Sequence, residues 1–129
     1  MTEPKWIRLE SVVAAHSKQL ARHGGVEGIR DAGLLESALS RPRNLFAYGS
    51  PDMVALAAAY AFGIVRNHPF FDGNKRTALA TCRAFVLLNG YAVDATQDEK
   101  ADVILKLAAS ELSEEEFALW LHTRLVSRD

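Results

Sequence analysis

The sequence predicts an all-α fold, a compact bundle of about six helices, and three observations carry that prediction. Apolar residues recur at helical spacing along nearly the whole chain, capping residues punctuate it, and the segment from Val54 to Val65 is apolar on every side. A helix of that last kind needs neighbours all round, so it belongs at the centre of the bundle. The 129 residues show neither an internal repeat nor a linker, and residues 1–129 read as a single domain, within the usual ~100–150.

From Ile7 to Arg22, the residues Leu9, Val12, Val13 and Leu20 mark the buried side of a first helix and leave Lys18, Gln19 and Arg22 to solvent. Gly24-Gly25 stops it, because glycine enters a left-handed cap without a Cβ clash. A second, shorter helix begins near Asp31, a good N-cap, carries Leu34, Leu35, Ala38 and Leu39, and ends at Pro42. Ser50 as N-cap, Pro51 in the first helical position and Asp52 at the positive end of the dipole open the third, central helix. After a loop from His68 to Asp72, a fourth helix runs from about Gly73 to Leu88 and is closed by Asn89-Gly90. Tyr91-Ala-Val-Asp94 is a candidate short strand, and Thr96-x-x-Glu99 and Ser113-x-x-Glu116 are capping boxes that open two further helices.

Composition excludes several function classes. With 49% hydrophobic and 24% charged residues the chain is close to average, which argues against disorder or low complexity. A net charge of −1 and a pI of about 6.4 disfavour direct nucleic-acid binding, which normally needs a basic stripe. The single cysteine, Cys82, cannot form an internal disulfide, so a reducing, cytoplasmic compartment is expected and cysteine-based zinc sites are excluded. Residues 1–8 mix charge with a tryptophan where a signal peptide needs an apolar core, and the longest apolar run, Met53 to Val65, falls short of the ~20 residues of a membrane span.

Chemistry concentrates in Arg66-Asn-His-Pro-Phe-Phe-Asp-Gly-Asn-Lys-Arg76, where a histidine, an acid, an amide and several cations stand between two apolar helices. The free N–H groups of the helix opening at Gly73 face this loop and make an anion site, and a glycine there lets a phosphate approach the backbone. Asn74 offers an amide donor, and Lys75 and Arg76 add positive charge. Cations at a helix N-terminus oppose the dipole, so they call for an anionic partner. Asp72 supplies one carboxylate beside that cradle, the way Mg²⁺ is usually held on a phosphate, although it is also placed to be a simple N-cap. Four residues upstream stands His68, a residue type that can take up a proton near neutral pH and so suits a general base for an attacking hydroxyl. Cradle, metal acid and base together describe transfer from a nucleoside triphosphate. Neither a Walker sequence nor H-E-x-x-H is present.

His68-Pro-Phe-Phe-Asp-Gly-Asn-Lys-Arg-Thr77 resembles the core motif of the Fic/Doc superfamily, H-P-F-x-[DE]-G-N-G-R-x-x-R, and most closely the version of the Doc toxins, H-x-F-x-[DN]-A-N-K-R-T-A. His16, the stretch Arg22 to Asp31, and Leu35-Glu-Ser-Ala-Leu39 also look like the amino-terminal third of Doc proteins. The resemblance implies a six-helix Fic fold that moves part of ATP, with Mg²⁺, onto a protein hydroxyl. Fic enzymes typically transfer AMP, whereas Doc toxins transfer the γ-phosphate to a threonine of elongation factor Tu and stop translation. It implies His68 as base, Asp72 as Mg²⁺ ligand, and Asn74, Lys75 and Arg76 as phosphate binders beside Gly73, with Arg66 near the phosphates. It also implies a restraining partner, a small antitoxin whose disordered C-terminal segment folds into an apolar groove, since no internal [ST]-x-x-x-E-[GN] brake is present.

Lys75 in place of the second Fic glycine and Leu79 in place of the last Fic arginine favour the Doc chemistry, while Gly73 is the Fic residue. Two alternatives therefore stand beside a Doc-like kinase: an AMP transferase, and a non-catalytic nucleotide- or partner-binding module. The remaining polar residues carry ordinary expectations. His16 and His122 sit on amphipathic helices without further ligands, His23 favours a helix C-terminus, Cys82 is a small buried apolar residue, and Arg83 either extends the basic site or is merely exposed.

Overall fold

A computed structural model describes residues 2–128, and within them the chain forms six helices and two short strands. The order is α1 (Leu9–His23), α2 (Ala32–Tyr48), α3 (Met53–Asn67), α4 (Asn74–Leu88), β1 (Tyr91–Val93), α5 (Gln97–Ala108), α6 (Glu114–Arg124) and β2 (Leu125–Ser127). As its all-round apolar sequence requires, α3 is the central helix: Leu56 to Ala61, Gly63 and Ile64 are buried, and α2, α4, α5 and α6 pack around it. Among the described residues no helix is long and apolar enough to cross a membrane.

Both capping boxes form as expected, with Thr96 Oγ1 accepting from Glu99 N–H at 3.1 Å and Ser113 Oγ accepting from Glu116 N–H at 3.0 Å. Asp31 caps α2 by accepting from Leu34 N–H at 2.9 Å, and Gly24 ends α1 with φ 75°. The start of α3 differs from the expectation. Ser50 and Pro51 precede the helix, and Asp52 is its N-cap, accepting from Ala55 N–H at 2.9 Å. A carboxylate both satisfies an orphan N–H and complements the dipole, which a serine hydroxyl does not.

The second correction concerns Pro42, which does not end α2 but lies buried inside it, the helix running on to Tyr48. An interior proline forfeits the hydrogen bond to the carbonyl four residues earlier, here Ala38. Packing outweighs that loss. Gly63 of α3 passes so close that a Cβ there would lie 3.1 Å from the Ala38 carbonyl oxygen, and beyond Pro42 the ring of Phe46 meets Trp6 edge-on at 5.7 Å. The candidate strand is real as Tyr91–Val93, and its partner is the chain end. Tyr91, Ala92 and Val93 pair antiparallel with Ser127, Val126 and Leu125.

Candidate functional site

The chain leaves α3 at His68, which adopts a left-handed conformation (φ 51°, ψ 55°) and still donates its N–H to the Ile64 carbonyl at 3.0 Å. For a residue with a β-carbon that conformation costs about 1–2 kcal/mol, so the surroundings must enforce it. Two residues on, Phe70 is fully buried at the loop's centre and stacks on the imidazole of His16 at 3.8 Å between centroids. Asn74 grips the same residue from the first turn of α4, its Oδ1 accepting from Phe70 N–H at 3.0 Å and its Nδ2 donating to the Phe70 carbonyl at 2.9 Å. Asn74 is itself buried. In this structure the amide oxygen and one Nδ2 hydrogen of Asn74 brace the loop, a role the sequence did not suggest beside the expected phosphate contact.

The helix N-terminus is open. Gly73 stands at the N-cap with φ 76° and no side-chain cap bond, leaving the N–H groups of the first turn of α4 without a side-chain acceptor from their cap. Lys75 and Arg76 on that turn are exposed and, among the described residues, form no ion pair. His68 presents an exposed imidazole with no hydrogen-bond partner among the described residues. A titratable ring, two free cations and a row of free amide donors thus share one short loop–helix junction.

Asp72 does not cap α4. Its Oδ2 accepts from Val26 N–H at 3.2 Å, across the strap that follows α1. The strap must pass closely, since a Cβ on Gly25 would lie 3.1 Å from that same oxygen, and Gly25 has φ 130°. The Asp72 carbonyl is bound as well, accepting from His16 Nε2 at 2.8 Å, which places the proton of that ring on Nε2. The carboxylate remains exposed. Among the described residues no three potential metal-ligating side chains cluster, so any cation here would rest on one protein acid and the oxygens of its ligand.

Arg66 points elsewhere. Its Nη1 donates to Ser110 Oγ at 3.0 Å and its guanidinium lies over the Phe62 ring, so it faces the turn between α5 and α6 rather than the loop. Two residues before His68 on a helix is more than half a turn away, which separates the two side chains. Cys82 is fully buried, and burial pushes its thiol up to about 12, consistent with an inert packing residue.

Sequence reasoning missed two groups that shape this site. His16 reads as an ordinary amphipathic-helix residue, yet it supports both Phe70 and Asp72 from a position more than fifty residues away in sequence. Arg30 lies in the strap, whose Ile29 pairs with Phe70 as an antiparallel bridge, and its side chain reaches the end of α3. No local pattern marks either contact. The only signal was that both lie in the stretches resembling Doc proteins.

Residues 6–86 match the model of the Fic/DOC family. The protein named Protein kinase doc, of Escherichia phage P1, is 34% identical over 105 residues, covering 81% of this chain and 82% of that protein. Toxin Doc of Mycolicibacterium smegmatis is 37% identical over 113 residues, covering 84% of this chain and 82% of that protein.

Proposed function

The chain belongs to the Fic/DOC family, and from that premise we propose that it is a Doc-like toxin of a toxin–antitoxin module. Its activity is that of a protein kinase: it moves the γ-phosphate of ATP to a serine or threonine hydroxyl of a translation factor, elongation factor Tu, and so arrests translation in the cytoplasm. The observation that carries this reading is the junction itself, an exposed His68 imidazole, unbonded among the described residues, five residues ahead of a helix N-terminus that has no side-chain cap and bears Lys75 and Arg76. The two relatives, one named a kinase and the other a toxin, support it.

In this scheme His68 takes the proton of the target hydroxyl. The hydroxyl oxygen bonds to the γ-phosphorus as the bond from that phosphorus to the β-phosphate oxygen breaks, and ADP leaves. Charge on the transferred group meets the first-turn N–H groups of α4, Lys75 and Arg76. Mg²⁺, when bound, would neutralise phosphate charge, and Asp72 is the residue to hold it. Asn74, His16 and Gly73 would act on the backbone, keeping the cradle open and the loop in place. Lys75, where a Fic glycine would leave room for deeper phosphates, favours a nucleotide that presents its γ-phosphate to His68. The partner that restrains the enzyme is a small antitoxin whose disordered C-terminal segment folds on binding. An open groove of about 460 Å³ along α2 and α3, where Ala38, Leu45 and Phe62 alternate with Arg41, Arg66 and Glu114, is the surface we assign to that segment, mixed rather than wholly apolar.

Intact-mass analysis of elongation factor Tu after incubation with this protein and Mg·ATP tests the reading. A gain of one phosphate with release of ADP is expected. A gain of one AMP with release of pyrophosphate would establish the AMP transferase, the alternative that Gly73 favours, and no gain in a whole-cell extract would leave a binding module. Expression of the chain alone should arrest bacterial growth.

A further inference from the structure

Arg30 is exposed and lies outside the catalytic motif, yet two N–H groups of its guanidinium are bonded to the backbone of the loop. Nε donates to the His68 carbonyl at 2.7 Å and Nη2 to the Asn67 carbonyl at 2.9 Å. Its backbone N–H donates to the Pro69 carbonyl at 2.7 Å, beside a second bond from Asp31 N–H at 3.1 Å. One residue thus contacts three consecutive carbonyls, at 67, 68 and 69. This is the C-terminal end of α3, where carbonyls have no donor from their own helix and carry partial negative charge. A planar cation with two forked N–H groups satisfies both needs at once.

The carbonyls it holds flank the left-handed His68, a conformation that persists only where the surroundings over-determine it. We infer that Arg30 is a positioning residue for catalysis: by clamping the Asn67 and His68 carbonyls it fixes the corner from which the His68 imidazole is aimed at the acceptor hydroxyl, without binding nucleotide. The inference deepens the proposed function and rests on His68 being the base. The other braces do not depend on Arg30. Asn74 holds Phe70, His16 holds Asp72, and Asn67 Nδ2 donates to the Leu34 carbonyl at 2.9 Å. The phosphate cradle should therefore survive its loss, and only the aim of the base should suffer.

The test compares the full chain with Arg30→Ala and Arg30→Lys; the lysine keeps the charge but loses the fork, and guards against a misfolded alanine variant. Three quantities are measured: transfer kinetics, affinity for a non-hydrolysable ATP analogue with Mg²⁺, and amide hydrogen exchange over residues 67–71. Arg30→Ala is expected to lower kcat ~10–10²-fold, the size of effect a misaimed group produces, with nucleotide affinity unchanged and faster exchange at the His68 amide. Arg30→Lys should show the same pattern at smaller size. Either variant transferring at the wild-type rate, losing nucleotide affinity in proportion to kcat, or leaving exchange over 67–71 unaltered would overturn the inference. Should the unmutated protein transfer nothing, the proposed function fails, and the exchange data still decide whether Arg30 holds the corner.

Discussion

Replacing His68 by glycine should make the protein more stable and abolish its chemistry. The left-handed backbone at φ 51° costs a residue with a β-carbon about 1–2 kcal/mol, a penalty glycine does not carry. Against this, glycine's greater freedom in the unfolded chain removes ~0.5–1 kcal/mol. The imidazole itself is exposed and makes no hydrogen bond among the described residues, so its loss subtracts little. The N–H to the Ile64 carbonyl and the carbonyl bound by Arg30 belong to the backbone and survive the change. The net is a stabilisation of ~0–1.5 kcal/mol, a rise in Tm of up to ~5 °C for a chain of this size. His68→Ala keeps the β-carbon and should leave Tm nearly unchanged. Both variants should lose transfer by ~10²–10⁴-fold, as loss of a general base does. Circular-dichroism melts of the three proteins beside a transfer assay decide the matter. A glycine variant that melts clearly below wild type would show that the imidazole is part of the fold, and wild-type transfer by either variant would remove His68 from its role.

Three further outcomes are expected. Asp72→Asn keeps an acceptor for Val26 N–H but loses the charge, so Tm should hold while activity falls and partly returns at high Mg²⁺; full activity at low Mg²⁺ would contradict the metal role. Asn74→Ala strips two hydrogen bonds from the buried Phe70 backbone and should cost about 2–4 kcal/mol by denaturant titration, a loss that a phosphate-binding side chain on an already formed loop would not show. Burial, with the charge of Arg83 nearby, lowers the pKa of Lys100 below 10.5. The unfolded chain then keeps that proton to higher pH than the native one, so the native state is penalised at neutral pH and relieved as pH rises through the lowered value toward 10.5. Lys100→Met should be more stable at neutral pH and lack that alkaline gain, which urea titrations across the range will read.

The amino-acid sequence by itself determined what is local. Capping boxes at Thr96 and Ser113, the N-cap at Asp31 and the stop at Gly24 act within a few residues, so their signals are complete in the chain. The burial of α3 followed from composition alone, and the junction of His68 with Gly73, Lys75 and Arg76 was legible because a loop and the helix after it are contiguous. Tertiary structure decided everything that depends on distant partners. Pro42 stays inside α2 because Gly63 and Trp6 pack beside that helix, and β1 forms because the chain end returns to pair with it. Arg66 turns to Ser110, Asn74 braces Phe70, and the loop around His68 is held by His16 and Arg30 from more than thirty residues away. Such contacts carry no local periodicity or spacing; they exist only once packing has brought the strap after α1 against the loop after α3.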